Sequence, residues 1–376
     1  VVFLMTISNF YFFFFLLVLL VLYVGIRFFT KKHVHVIREG VGYCVKFAIP
    51  ILIGLMMSSI IFVPVVKLLF SGERMYSKTN IPLLYSWYDY ENTLSKFVTS
   101  GSSNWACLGF VPIALIALVF IFVNKNKYLE LKIGIIILTI MLLFPVFGSI
   151  LNGMSYVINR WTFAYAFLVA YILVSSWDDL IYMGRREQIC ITLVMVGYFV
   201  VLLLINVGTN ENAMAIMVTV GVTLLFFSLI DQTIKEYRQI VAIIMLVITV
   251  AAIGINVKYS FDMDEGKYIE YFLNRGKARE TIYQTGDYAV KETVGNQTKI
   301  ERIDQPNEIT NSAWQNRTFG INYFCSMENG SISKFLSEMG NEVFYTQLYR
   351  NLDSRTMLNE IVAVKYYTDR SENPTV

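Results

Sequence analysis

The run Phe10-Tyr-Phe-Phe-Phe-Phe-Leu-Leu-Val-Leu-Leu-Val-Leu-Tyr-Val-Gly-Ile-Arg-Phe-Phe29 decides the fold class of this chain. Its one charged residue, Arg27, lies close to its end. About 20 mainly apolar residues form a helix long enough to cross the hydrocarbon core of a bilayer. The run therefore predicts a transmembrane helix, and the same pattern recurs along the chain.

The composition supports a membrane protein. Of the 376 residues, 56% are hydrophobic and only 16% are charged, whereas soluble domains carry roughly 25% charged residues. The apolar residues come in blocks as far as residue 257, and the remaining tail has an ordinary soluble composition. Eight membrane spans are predicted: Phe10–Phe29, Phe47–Val66, Leu108–Val123, Ile133–Ile150, Trp161–Trp177, Ile189–Val207, Ala213–Ile230 and Ile240–Val257.

The predicted fold class is thus an α-helical polytopic membrane protein with a C-terminal mixed α/β domain. Residues 1–257 are expected to form the transmembrane domain and residues 258–376 an incomplete α/β domain. The chain is expected to be a fragment truncated at both ends, because it is already apolar at Val1 and ends without a terminating element at Val376.

Basic residues are concentrated in every second connection between the predicted spans. These connections hold Lys31, Lys32, Arg38 and Lys46, then Lys125, Lys127 and Lys132, then Arg185 and Arg186, then Lys235 and Arg238. Cytoplasmic loops carry an excess of Lys and Arg. We therefore predict a multi-pass protein of the cytoplasmic membrane whose C-terminal domain is extracytoplasmic.

The outer loop Leu151-Asn-Gly-Met-Ser-Tyr-Val-Ile-Asn-Arg-Trp161 is the first candidate site. The planar guanidinium of an Arg binds phosphate oxygens in pairs, which suits Arg160 to a lipid phosphate. Trp161 and Tyr165 are expected at the depth of the lipid headgroups. The alternative is that the loop only anchors the protein, with Arg160 extended toward the membrane surface.

Three other clusters are weaker candidates. The long outer loop Ser71–Ala106 holds a mixture typical of sugar sites but also of interfacial helices: Arg74, Tyr76, Tyr85, Trp87, Tyr88, Asp89, Tyr90 and Glu91. The Asp262-Met-Asp264 pair and the His33-Val-His35 pair are both too short to indicate a metal site. No cofactor is identifiable, and a requirement for a divalent metal stays open.

The predicted spans have no Glu, Asp, Lys or His near their centres. Secondary transporters and proton pumps commonly carry such residues within the membrane. The pattern favours chemistry at the outer surface on a substrate that arrives from the bilayer.

The segment Leu151–Leu168 resembles the YfhO family of bacterial membrane proteins, in which a loop of the form N-G-x-S-Y-x-x-N-R-W leads into a transmembrane helix. Further agreement is spread over most of the chain: Arg74, Tyr85-Ser-Trp-Tyr-Asp-Tyr90, Phe97, Gly101, Glu301-Arg-Ile-Asp304, Gly320-Ile-Asn-Tyr-Phe-Cys-Ser326, Phe335 and Ile361-Val-Ala-Val-Lys-Tyr-Tyr367. One departure is Ala363, which stands where the family has glycine.

The resemblance implies a glycosyltransferase of the GT-C type that acts on cell-surface polymers such as lipoteichoic acid. The implied donor is a sugar carried on undecaprenyl phosphate, and no nucleic-acid partner is expected. The site candidates carried over for lipid-phosphate or sugar binding are Arg74, Asn152, Tyr156, Asn159 and Arg160. The catalytic residue is unknown, since the resemblance places a carboxylate in a first outer loop that precedes this fragment.

Enzymatic activity rests on this resemblance alone. A lipid-linked saccharide flippase or transporter and a non-catalytic assembly factor of the cell envelope are the competing interpretations.

Overall fold

The computed structural model describes most of the chain. The described residues are 1–31, 33, 35–71, 81–99, 102–103, 106–124, 127–154, 156–205, 221, 223, 238–261, 274–295, 299–305, 310–325, 329–341, 348–350, 352–353 and 355–368. The chain divides into two compact units, one made of Val1–Ser58 and Thr79–Ile269 and the other of Ser59–Lys78 and Glu270–Val376.

Helices dominate the chain before residue 262. They are α1 (Val2–Ser8), α2 (Phe10–Phe29), α3 (Val36–Ser71), α4 (Trp87–Ser95), α5 (Pro112–Val123), α6 (Leu129–Leu143), α7 (Pro145–Leu151), α8 (Thr162–Ile181), α9 (Arg185–Ile205) and α10 (Arg238–Phe261). A short hairpin of β1 (Ser102–Ser103) and β2 (Ala106–Cys107) precedes α5.

Five described helices are long and apolar enough to cross a membrane, namely α2, α3, α8, α9 and α10. The number rises to six if the bent pair α6–α7 counts as one span. The predicted count of eight is therefore not confirmed over the described residues. The seventh predicted span, residues 213–230, lies outside them except for residues 221 and 223.

The third predicted span is shorter than expected. It was predicted from Leu108, but α5 begins only at Pro112, after Gly109 with a φ of +69°. At 1.5 Å per residue, its 12 residues reach only about 18 Å, less than the roughly 30 Å of a hydrocarbon core. Most of α5 is buried, and it packs against α8 and α9. It is therefore a core helix of the first unit.

The fourth predicted span, Ile133–Ile150, is not one straight helix. The helices α6 and α7 meet at an angle of 95°, with Phe144 extended between them. Pro145 explains the break, because proline has no N–H to donate and disfavours helical backbone at the residue before it. The hydroxyl of Tyr90 donates to the carbonyl of Leu143 at 2.8 Å and so satisfies a group at the break.

The helix ends of the first unit sort into two groups. At one end, Arg27 pairs with Glu130 at 2.5 Å and Lys127 pairs with Asp179 at 2.9 Å. These pairs join the end of α2, the start of α6 and the end of α8. The alternation of basic connections predicts that these three helix ends lie on the same side of the membrane.

The other end of the first unit holds the start of α2, the end of α7 and the end of α10. Asn256 in α10 is buried and donates to the carbonyl of Val98 at 3.2 Å. The chain therefore leaves α10 at this second end. That this end faces away from the cytoplasm stays a prediction.

The second unit contains short helices and strands. The helices are α11 (Lys277–Tyr283), α12 (Gly286–Val294), α13 (Ser312–Asn316), α14 (Gly330–Glu338) and α15 (Thr356–Ile361). The strands are β3 (Arg302–Asp304), β4 (Phe319–Gly320), β5 (Tyr323–Phe324), β6 (Leu348–Tyr349) and β7 (Val364–Tyr367). β3 is the middle strand of a parallel sheet with β4 and β7, and β5 pairs with β6 antiparallel.

Candidate functional site

The candidate site lies on the loop between α7 and α8. Gly153 and Met154 both have left-handed backbone, with φ of +67° and +60°, so the chain turns sharply as it leaves α7. The side-chain amide of Asn152 donates to the carbonyl of Tyr156 at 2.9 Å and closes this turn. Tyr156 is exposed at the rim of the loop.

Asn159 and Trp161 form the buried base of the loop. They are 2% and 0% exposed. The Asn159 amide nitrogen donates to the Tyr85 hydroxyl at 2.9 Å, and the Trp161 indole donates to the Asn159 side-chain oxygen at 3.2 Å. Thr162 also donates its hydroxyl to the Asn159 carbonyl at 2.8 Å. The Asn159 side chain therefore holds the loop together through both its amide nitrogen and its oxygen.

Gly148 shows how tightly this base is packed. A Cβ atom on Gly148 would lie 2.7 Å from the Asn159 side-chain oxygen, closer than real Cβ contacts allow. Trp161 and Tyr165 are both buried within the first unit; that they lie at the depth of the lipid headgroups stays a prediction. An indole with a buried hydrogen-bond acceptor is stable in such a core.

Arg160 stands between the two buried residues and is itself exposed. Its guanidinium carbon lies 5.9 Å from the ring centroid of Tyr11, a distance typical of a cation–π contact. The Tyr11 hydroxyl donates to the Asn152 side-chain oxygen at 3.2 Å. The structure therefore gathers Arg160, Asn152 and Tyr11 at one place, with Tyr156 beside Asn152.

Sequence reasoning missed Tyr11. It lies 141 residues before Asn152, within the aromatic start of the first predicted span. The sequence feature that could have indicated Tyr11 is its position as a polar aromatic residue in the first turn of that span, on the same predicted side of the membrane as the loop. Only the packing of α2 against this loop identifies its partners.

The long outer loop contributes to the same region through Tyr85. Burial raises the pKa of its phenol, and its ring meets that of Tyr90 edge to face. Asp89 completes the capping box of α4 by accepting from the backbone N–H of Ser86 at 3.3 Å, and it also accepts from the Ser86 hydroxyl at 2.6 Å. This carboxylate thus stabilises the start of a helix. The neighbouring Trp87 is 76% exposed, as expected of either a sugar platform or an interfacial helix.

Of the remaining candidates, Arg74 and the Asp262–Asp264 pair lie outside the described residues. His33 belongs to the opposite end of the first unit, where it stacks on Phe28 and bonds Glu39. The described part of the chain contains no cluster of three His, Cys, Asp or Glu side chains that would hold a metal ion.

The geometry suits the binding of an anion at the membrane face. A guanidinium offers a planar set of N–H donors that matches phosphate oxygens. The buried base below Arg160 fixes the backbone from which it projects, so little ordering is needed when a ligand binds.

A family model described as "Bacterial membrane protein YfhO" matches residues 1–375. No curated protein and no solved structure matches the chain.

Proposed function

Since this chain belongs to the YfhO family of bacterial membrane proteins, we propose that it is a GT-C-like glycosyltransferase of the cytoplasmic membrane. It would move a sugar from undecaprenyl phosphate to a cell-surface polymer such as lipoteichoic acid. The reaction would take place at the end of the first unit that holds Arg160.

One observation carries this proposal. Arg160 is exposed on a loop whose neighbours, Asn159 and Trp161, are buried and hydrogen-bonded. A cation on a rigid base at the ends of membrane helices is well placed for the phosphate of a lipid carrier. The carrier's tail would remain in the bilayer while its phosphate meets the protein.

Arg160 would act on the leaving group. Negative charge grows on the lipid phosphate as the bond to the sugar breaks, and preorganised N–H donors stabilise that charge in the transition state. Asn152 and Tyr156 would shape the approach to Arg160, and Asn159 would hold the loop. We assign no residue to the general base that takes the proton from the acceptor hydroxyl.

The distribution of charge in the helices favours this proposal over a flippase or transporter. In the described part of the apolar helices, the acidic and basic side chains lie toward the ends of the membrane spans, as with Lys46 and Lys67 on either side of residues 47–66 in α3. A transporter commonly carries charges near the middle of the membrane. A non-catalytic assembly factor has no need of a phosphate site.

The experiment compares Arg160→Ala with the matched control Arg186→Ala in the full-length protein. Arg186 is also exposed but lies at the start of α9, next to the other end of the first unit. Membranes would be supplied with undecaprenyl-phosphate-linked radiolabelled sugar and lipoteichoic acid, and label in the polymer would be counted at equal expression.

We expect Arg160→Ala to lower the transfer rate by about 100-fold or more, which is the usual effect of removing a charge-stabilising donor. Arg186→Ala should match the wild type. Equal transfer by both variants would refute the role of Arg160. Transfer that does not depend on the protein at all would refute the glycosyltransferase assignment.

A further inference from the structure

We infer that Tyr11 is a positioning residue that holds Arg160 for the phosphate of a polyprenyl carrier, an inference that rests on the proposed function. Tyr11 lies in the first turn of α2. It contacts two residues of the candidate site at once, Asn152 through its hydroxyl and Arg160 through its ring.

The Tyr11 ring is itself firmly supported. It packs edge to face on Phe15 with 4.6 Å between ring centroids, and Phe15 is 0% exposed. The hydroxyl is fixed at 3.2 Å from the Asn152 side-chain oxygen. The Tyr11 ring is thus held by Phe15 and by the hydrogen bond of its hydroxyl, and it presents one defined face to Arg160.

The contact suits a phosphate site because an aromatic ring attracts the guanidinium through its π face and carries no competing negative charge. The N–H donors of a guanidinium are the groups that match phosphate oxygens. Tyr11 would restrict the rotamers of Arg160, so that less of this long side chain must be ordered when the ligand binds, and this raises affinity.

The ring and the hydroxyl of Tyr11 contact different residues. The ring acts on Arg160, and the hydroxyl acts on Asn152 and the turn that follows α7. A phenylalanine at position 11 would retain the first contact and lose the second. A leucine would lose both.

The test measures binding of undecaprenyl phosphate to the full chain in phosphatidylcholine nanodiscs. Parallel nanodiscs contain phosphatidylglycerol instead, so that a lipid carrier is distinguished from an ordinary anionic headgroup. The variants are Tyr11→Leu, Tyr11→Phe, Arg160→Ala and the double variant Tyr11→Leu/Arg160→Ala. Tyr23→Leu is the control, since Tyr23 is an exposed tyrosine in the same helix.

We expect Tyr11→Leu to weaken binding by about two- to fivefold, the usual value of an exposed cation–π contact. Tyr11→Phe should stay within about twofold of the wild type because the ring face remains. In the Arg160→Ala background, Tyr11→Leu should have no further effect. A merely structural role for Tyr11 would weaken binding by the same factor in both backgrounds.

Each other outcome is also decisive. Equal weakening in both backgrounds overturns the positioning role, and so does a Tyr11→Phe variant as weak as Arg160→Ala. Equal Tyr11 dependence with phosphatidylglycerol overturns the assignment to a polyprenyl carrier. If Arg160→Ala binds undecaprenyl phosphate like the wild type, or the wild type binds none, the proposed phosphate site fails together with this inference.

Discussion

Two buried carboxylates in the second unit should respond in opposite directions to the same substitution. Asp287 and Asp304 are both 0% exposed. Asp287 accepts from the side chains of Gln305, Ser312 and Thr318. Among the described residues, neither carboxylate oxygen of Asp304 has a partner with normal hydrogen-bond geometry. Asparagine at position 287 should therefore destabilise this unit, and asparagine at position 304 should stabilise it at neutral pH.

The magnitude follows from the pKa of Asp304. Burial raises this pKa from 3.8 to about 6, and the backbone N–H of Gln305 offsets only part of the effect. The folded state therefore holds the proton more tightly than the unfolded state. The resulting stability is complete below pH 3.8 and is lost as the pH rises to about 6. The ionised side chain lowers the free energy of unfolding by about 3 kcal/mol at neutral pH.

Hydrogen–deuterium exchange of peptides covering β3 in the full chain measures this effect locally. After correction for intrinsic exchange rates, the wild type should be more stable at about pH 5 than at about pH 7.5 by roughly 1 kcal/mol. Asp304→Asn should remove this pH dependence and gain up to about 3 kcal/mol near pH 7.5. Asp287→Asn should lose about 1–3 kcal/mol because buried donors lose their acceptor.

Loss of stability on Asp304→Asn substitution near pH 7.5, or equal protection of β3 at both pH values, would refute this reasoning. Such a result would mean that the Asp304 carboxylate is stabilised in its ionised form. The Asp287 variant controls for a general effect of a buried amide, since it introduces the same group a short distance along the chain.

Three further predictions concern strain, the site base and topology. Ala363→Gly should raise the free energy of unfolding of the second unit by about 0.5–1 kcal/mol, because Ala363 has a φ of +60° that glycine adopts without strain. Hydrogen exchange at β7 measures this gain in stability, and a loss of protection there would contradict the prediction. Asn159→Leu should lower thermal stability by about 1–3 kcal/mol because the buried Trp161 indole loses its acceptor; an unchanged melting temperature would show that this base is dispensable. In a cysteine-free background, Lys334→Cys should react with a membrane-impermeant thiol reagent on intact cells, and Arg186→Cys should not. The reverse labelling pattern would show that the predicted topology is inverted, and it would refute the proposed function.

The sequence alone predicted most of the long helices. An uninterrupted apolar run forms a helix in lipid because its backbone groups have no other partners, so α2, α8, α9 and α10 follow the predicted spans closely. The predicted span Ile133–Ile150 is broken at Pro145, a feature that hydropathy alone does not register. Pro145 was visible in the sequence, but the 95° angle between α6 and α7 depends on the packing around it.

In the second unit, the sequence also predicts some elements and misses others. The pattern of Ile332–Met339 predicts a short helix that ends at Gly340, and α14 is followed by Gly340 with a φ of +69°. The pattern of Glu360–Tyr367 predicts a strand, but this stretch begins with the end of α15, and only Val364–Tyr367 is a strand. Local apolar and β-branched residues do not distinguish these two states, because the contacts of each face decide between them.

The sequence by itself determined where the chain is apolar, which connections are basic and which loop carries the Asn-Arg-Trp motif. These properties are local, since they depend on residues close together in the chain. Only the tertiary structure decided that Asn159 is a buried brace and Arg160 an exposed cation, although the two are adjacent. It also brought Tyr11 to Arg160 across the fold, because helix packing and not sequence separation determines which side chains meet.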